Sequence, residues 1–335
     1  MGARTSLSGE TLRGGLYLIV AGPAFCLSAY TALTPPQGGP ALSPGFDNPA
    51  EVRGGNSAAS HPFYLPNHYS SFADDTALYA GAYRNAEGLV GVKSETGSAG
   101  SGPKGDRRGR IVAGTISHHL YIRDLIAQYF ITIALYVHPK RIILIGPNHH
   151  ARGDSPIALS GLRWRTPFGF VEPDSDAIRK ISGSGTARVE EEPFVNEHSI
   201  GALAPFIRRT FPGARIVPII FKKAAGRENC VKLARVISGL MDSTLVLASL
   251  DFSHYRTSRE AEKEDAASLH VIRSLSTERV DEAFVDSRPA LLTLLSLCGD
   301  IGATRVEVVL HTNSGILSHN PRVPCTSYIN TYIEN

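Results

Sequence analysis

Cysteine is scarce in this chain: four in 335 residues, Cys26, Cys230, Cys298 and Cys325, with no CxxC pair among them. That spacing excludes a disulfide-dense scaffold and the paired-thiol signature of a structural zinc site. A single bridge such as Cys230 with Cys325 stays open on spacing alone. Charge of one sign is lacking too, since 34 Lys and Arg face 31 Asp and Glu for a formal net charge of +3. The basic residues are scattered, with no basic helix, zinc-finger spacing or RNP-like aromatic pattern, which excludes nucleic acid as a partner. Internal repeats are absent as well, which excludes a solenoid.

Only one long apolar run is present. Gly15 to Leu33 ("GLYLIVAGPAFCLSAYTAL") carries no charge over 19 residues and follows Arg4 and Arg13. That length just spans a bilayer, and the flanking arginines favour a cytoplasmic N-terminus. Against a span stand Pro23 and several Gly, Ala, Ser and Thr residues. No small-x-small cleavage site follows, and Phe25 before Cys26 spoils a lipoprotein signal. Two readings stay open: a signal anchor or signal peptide, giving a membrane-anchored or exported protein, and a plain apolar extension of a cytoplasmic one.

The rest of the chain has an ordinary globular composition, 42% hydrophobic and 19% charged, and its length suits one large domain or two small ones. The organisation reads as an apolar N-terminal segment (1–35), a linker and variable extension (36–109) and a main domain (110–335). Residues 34–60 are rich in Pro, Gly, Ala and Ser, residues 61–92 carry enough Tyr and Phe to pack on the main domain, and 94–110 reads as a surface loop. Short apolar runs at 110–117, 141–146, 214–221 and 243–252 read as strands, with further strands at 156–172, 305–311 and 325–332. Helical spacing is predicted at 121–137, 197–211, 228–240, 258–275 and 288–297. Strands alternating with helices predict an α/β fold with a mixed, largely parallel central sheet covered by helices on both faces.

In such sheets polar side chains converge where strands end. The 110–117 strand exits into His118 and His119, the 141–146 strand into His149 and His150, and the 243–250 strand into Asp251, Phe252, Ser253 and His254. Imidazoles released at three equivalent positions suit a divalent transition metal with open coordination positions. On the residues alone the third ligand is Glu197, Asp251 or a thiolate. Glu197 and His198 open a helix, where a carboxylate is equally at home as a first-turn residue. Asp251 and His254, three apart, can face one cavity on a turn or a helical start, one orienting a ligand and the other moving protons.

The motifs "SHHLY" (117–121), "GPNHH" (146–150), "RTPFG" (165–169), "NEHSI" (196–200), "SLDFSHY" (249–255), "LCGD" (297–300) and "TSYI" (326–329) follow one another in an order and spacing that resemble the Memo family, also called AmmeMemoRadiSam system protein B. The resemblance covers roughly two thirds of the chain, about residues 110–333. It implies a fold like that of the class III extradiol (LigB-like) dioxygenases. It also implies one metal, held by His118, His149 and Cys298, with Asp251 and His254 lining the same pocket as the catalytic pair and His119, His150, Glu197 and His198 as supporting residues. Iron is the first expectation for the metal, with copper or zinc as alternatives. Departures from the family pattern are Ser117, where relatives carry Pro, and Gly201 and Ala204, which predict a less polar pocket wall. The function implied is that of a mononuclear metal-dependent oxidoreductase acting on O2 or a small organic molecule. The alternatives are a non-catalytic module binding a peptide or metal in a dioxygenase-like pocket, and a zinc hydrolase.

Overall fold

A computed structural model describes residues 68–90 and 110–335. The apolar run at 15–33 lies outside the described residues, and among those described no helix is long and apolar enough to cross a membrane. The first elements are β1 (His68–Ser70), α1 (Thr76–Val90), β2 (Ile111–Ile116), α2 (Arg123–Ile133), β3 (Arg141–Pro147), β4 (Ile157–Leu159), β5 (Arg163–Thr166) and β6 (Gly169–Val171). They are followed by α3 (Ser175–Gly183), β7 (Arg188–Val189), α4 (His198–Gly201), α5 (Ala204–Thr210), β8 (Arg215–Phe221), α6 (Arg227–Ser238) and β9 (Thr244–Ser249). The C-terminal part holds β10 (Phe252–Arg256), α7 (Ser258–Arg273), α8 (Arg288–Asp300), β11 (Arg305–Asn313), α9 (Ser314–Leu317) and β12 (Cys325–Glu334).

The main sheet runs β10-β12-β2-β9-β3-β8-β4-β7, with β11 on β12. Its centre, β2-β9-β3-β8, is parallel. The flanks are antiparallel where β12 meets β2, β10 and β11, and where β4 meets β8. The central strands are buried along nearly their whole length, as continuous apolar runs covered on both faces must be. Alternation along β3 divides the core: Ile143 and Ile145 pack with Ile178, Leu233, Ile237 and Leu294 of α3, α6 and α8. Ile142 and Leu144 pack on the other face with Tyr79, Phe130 and Phe206 of α1, α2 and α5. The architecture is thus a mixed α/β sheet with helices on both faces.

Residues 68–90 are part of this body. β1 pairs in parallel with β5, and the Tyr83 hydroxyl of α1 donates to the Phe206 carbonyl at 3.2 Å. Two predicted elements divide. The 197–211 helix breaks between α4 and α5, because Pro205 has no N–H to meet the Gly201 carbonyl four residues back. The Phe72 N–H takes that carbonyl instead, at 3.1 Å. The 243–252 strand ends at Ser249, and Phe252 starts β10, antiparallel to β12. His254 therefore stands on a strand, not on a helical start. Cys230, Cys298 and Cys325 are all free and buried, so the Cys230–Cys325 bridge is not formed.

Strand β2, which delivers the first histidines, presses against β12. A methyl group on Gly114 would meet the Thr331 carbonyl and the Tyr129 hydroxyl. Gly114→Ala is expected to cost about 1–3 kcal/mol by overpacking, read as a lower midpoint in denaturant unfolding. An unchanged midpoint would show that β2 and β12 are not in this contact.

Candidate metal centre

Three loops meet at the C-terminal edge of the parallel strands. β2 exits through Ser117, whose N–H is held by Asn330 Oδ1 at 2.8 Å, into a His118 that is only 3% exposed. The Ser249 hydroxyl at the end of β9 donates to the Ser199 carbonyl at 2.6 Å. Its oxygen, 3.0 Å from His118 Nδ1, is left as an acceptor, so the proton of a neutral His118 sits on Nδ1 and Nε2 is bare. Burial, then the charges of His198 and His149, hold His118 well below the usual imidazole range, so the ring is neutral.

Beyond Pro147, β3 turns through Asn148, whose side chain clamps the Arg152 backbone from both sides at 2.9 and 3.2 Å. This turn presents His149. Its Nδ1 lies 2.6 Å from Glu197 Oε1 and its N–H donates to Glu197 Oε2 at 2.9 Å. Glu197 also caps α4 by accepting the Ser199 N–H at 2.9 Å. Burial pushes the Glu197 carboxyl up, but the hydrogen bond and charge of His149 outweigh it and hold it below its ordinary value. The same pair raises His149, against the lowering effect of its burial. A carboxylate on Nδ1 fixes the ring and directs Nε2 into the cleft, the arrangement that orients an imidazole ligand.

Helix α4 reaches this edge because residue 146 is glycine. A Cβ there would stand 3.0 Å from the Ser199 Cβ and Oγ, and the Ser199 hydroxyl donates to the Pro147 carbonyl at 3.0 Å. His198 consequently stacks on His149, with centroids 3.9 Å apart and planes 21° apart, and meets His118 edge-on at 5.1 Å. Burial and the His149 charge push His198 down to about 3. Donor atoms of His118, His149 and His198 all lie within 4.8 Å of one another, and this group could hold a metal ion.

Two carboxylates close the other side. Asp251 Oδ2 and Asp286 Oδ2 each lie 3.5 Å from His118 Nε2. Their backbones are tied together, with the Asp251 N–H donating to Asp286 Oδ2 and the Asp286 N–H to the Asp251 carbonyl, both at 3.1 Å. Burial and the neighbouring Asp251 charge push Asp286 up to about 8, and burial raises Asp251. His254 is held by Thr326 Oγ1 at 3.3 Å from Nδ1, and its charge acts on both Asp251 and His118.

The family model for Memo-like proteins matches residues 82–328. The chain belongs to the Memo family. A MEMO1 family protein of Caldivirga maquilingensis is 29% identical over 208 residues, covering 59% of this chain and 73% of its own. Another, of Pyrobaculum arsenaticum, is 31% identical over 228 residues, covering 62% and 78%. Among solved structures, the uncharacterized protein JW3007 from Escherichia coli K12 covers 67% of this chain and 99% of its own at TM-score 0.47 and 12% identity.

Within this Memo chain the residues expected at the centre separate. His118, His149 and His198 come together, with Glu197, Asp251 and His254 around them. His119 turns to the Tyr328 hydroxyl at 2.7 Å, and the buried Nε2 of His150 has no hydrogen-bond partner. Cys298, expected as a ligand, is not brought to this group. It lies on α8 among Leu291, Leu294 and Leu295 in the apolar core, where burial pushes its thiol up to about 12, and its sulfur is not in the donor group. Helix α8 is buried from Pro289 to Cys298, so this residue faces packing. The residue near α8 that does reach the histidines is Asp286, just before the N-cap Ser287. Nothing flagged it in "VDSRP" except an acidic residue immediately before a capping serine and a first-turn proline. The extension also touches the site, since the Phe72 ring lies 5.5 Å from His198.

Proposed function

We propose that this Memo protein is a mononuclear metal-dependent oxidoreductase that acts on a small organic molecule, with the ion held by the Nε2 atoms of His118 and His149 and iron as its metal. The supporting observation is that each of these rings has its Nδ1 engaged, by Ser249 and by Glu197, which leaves the two Nε2 atoms as the ones available to an ion in one carboxylate-bordered cleft. Neutral imidazole nitrogens and carboxylate oxygens are a donor set that suits iron, copper or zinc. When bound, a divalent transition metal supplies Lewis acidity, and iron adds one-electron redox chemistry. The protein's own residues do the rest. Glu197 keeps His149 oriented, Ser249 keeps His118 in one tautomer, and His254, held by Thr326, is the group that takes or returns a proton at the cleft. His198 and Phe72 form an aromatic wall against which a small apolar substrate lies.

Metal analysis of anaerobically purified protein is expected to show one iron per chain and metal-dependent O2 consumption. His118→Ala and His149→Ala should each lose the metal. Retention of full metal content by both variants would refute the site, and stable zinc with esterase activity would replace the oxidoreductase by a hydrolase.

A further inference from the structure

His118 Nε2 carries a lone pair, and the atoms facing it, Asp251 Oδ2 and Asp286 Oδ2 at 3.5 Å, are acceptors as well. Three acceptors pointed at one another in a buried pocket repel unless a proton, as the raised Asp286 carboxyl can carry, or a metal ion that displaces it stands among them. The separation fits the ion: two donors bound at about 2.1 Å to a tetrahedral ion lie about 3.4 Å apart. Of the two carboxylates, Asp251 uses Oδ1 to accept the His118 N–H at 3.3 Å. Asp286 differs. Its side chain is 8% exposed and its Oδ1 has no hydrogen-bond partner.

His198 is the competing third donor by distance, but its ring is badly oriented for one. An imidazole binds a metal through a lone pair in the ring plane, so an ion shared by two histidines must lie in both planes. The stacked rings of His149 and His198, 3.9 Å apart and inclined by 21°, have planes that meet well outside a bond length of about 2.1 Å. His118 crosses His149 at 83°, and those planes do converge. We infer that the third protein ligand of the metal is the Asp286 carboxylate, which makes the centre a two-histidine, one-carboxylate site, with His198 as a non-coordinating wall and Asp251 as a positioning residue. This rests on the metal site proposed above and specifies its anionic member. Such a set leaves several positions open and is the donor arrangement of non-haem iron sites.

The test is Co2+ binding to metal-free protein, followed by competition with a chelating dye and by the cobalt absorption spectrum. Asp286→Asn keeps the size of the side chain and an acceptor for the Asp251 N–H, so the thermal midpoint of the metal-free variant should stay near that of the parent. Its Co2+ affinity should fall more than about 100-fold, beyond the roughly 10–100-fold loss typical of a supporting residue. Asp251→Asn should stay within that supporting range, and His198→Gln should lose less than about 10-fold. The parent's cobalt spectrum should show no thiolate-to-cobalt charge-transfer band; such a band would overturn the assignment without any variant. If His198→Gln or Asp251→Asn loses more affinity than Asp286→Asn, the assignment of Asp286 is wrong while the two-histidine site stands. If His118→Ala and His149→Ala bind Co2+ as the parent does, the metal site itself is wrong.

Discussion

Glu197→Ala is expected to lower the unfolding free energy of the metal-free protein by about 3–5 kcal/mol, the cost of removing one partner from a buried ion pair. Glu197 is 1% exposed and accepts from His149 Nδ1, the His149 N–H and the Ser199 N–H. Alanine would strand all of these donors, uncap α4 and free the His149 ring. Metal affinity should fall about 10–100-fold through the lost orientation of that ring. The pH dependence has a definite sign. Glu197 is held below its ordinary 4.5, so its contribution is complete above that value and is lost as pH falls through the lower folded value. His149 is raised above 6.5, so its contribution is complete below 6.5 and is lost as pH rises through the raised value. The stability gap between parent and variant should therefore be widest between the ordinary carboxylate range and that raised value, and should narrow in acid. Denaturant unfolding across pH measures it; a gap under about 1 kcal/mol throughout, the size of an exposed ion pair, would contradict the pairing.

Glu197 also shows how much of the site was legible in the sequence. His118, His149 and Asp251 were readable because they follow uniformly apolar strands, and parallel strands release their functional side chains at their C-terminal ends. The partners of those histidines were less readable, because they depend on close approaches between distant segments. His198 joins the group because Gly146 lets α4 lie against β3, and a glycine ending a strand does not announce which helix it admits. Asp286 lies 168 positions after His118 in the numbering, on a loop with no histidine beside it. It enters only because Val285 bridges antiparallel to Phe252 at the start of β10 and ties the Asp251 and Asp286 backbones together. Cys298 was readable by another route. The run "LLTLLSLC" carries no charge and only two small hydroxyls, Thr293 and Ser296, and reads as a largely buried helix, an environment that favours the neutral thiol over a metal-binding thiolate.

Phe206→Ala is the other large expected effect, a loss of about 3–5 kcal/mol on truncating a fully buried aromatic ring. Phe206 is 0% exposed, with ring centroids 5.1 Å from Tyr79, 5.9 Å from Tyr83 and 5.9 Å from Phe130. It therefore joins α1 of the extension to α2 and α5 of the main body in one aromatic cluster. Because the lost contacts include those to α1, the variant should be cleaved by protease within 68–90 sooner than the parent, below the midpoint of global unfolding. Phe206→Leu, which keeps most of the apolar volume, should lose less. The metal-binding stoichiometry of folded Phe206→Ala should be unchanged, since His118 and His149 are set by strand ends and by Ser249 and Glu197. A variant that loses stability without earlier cleavage in 68–90 would show that α1 is held by Tyr83 and its hydrogen bonds to Phe206 and Thr210, with the ring cluster adding only bulk.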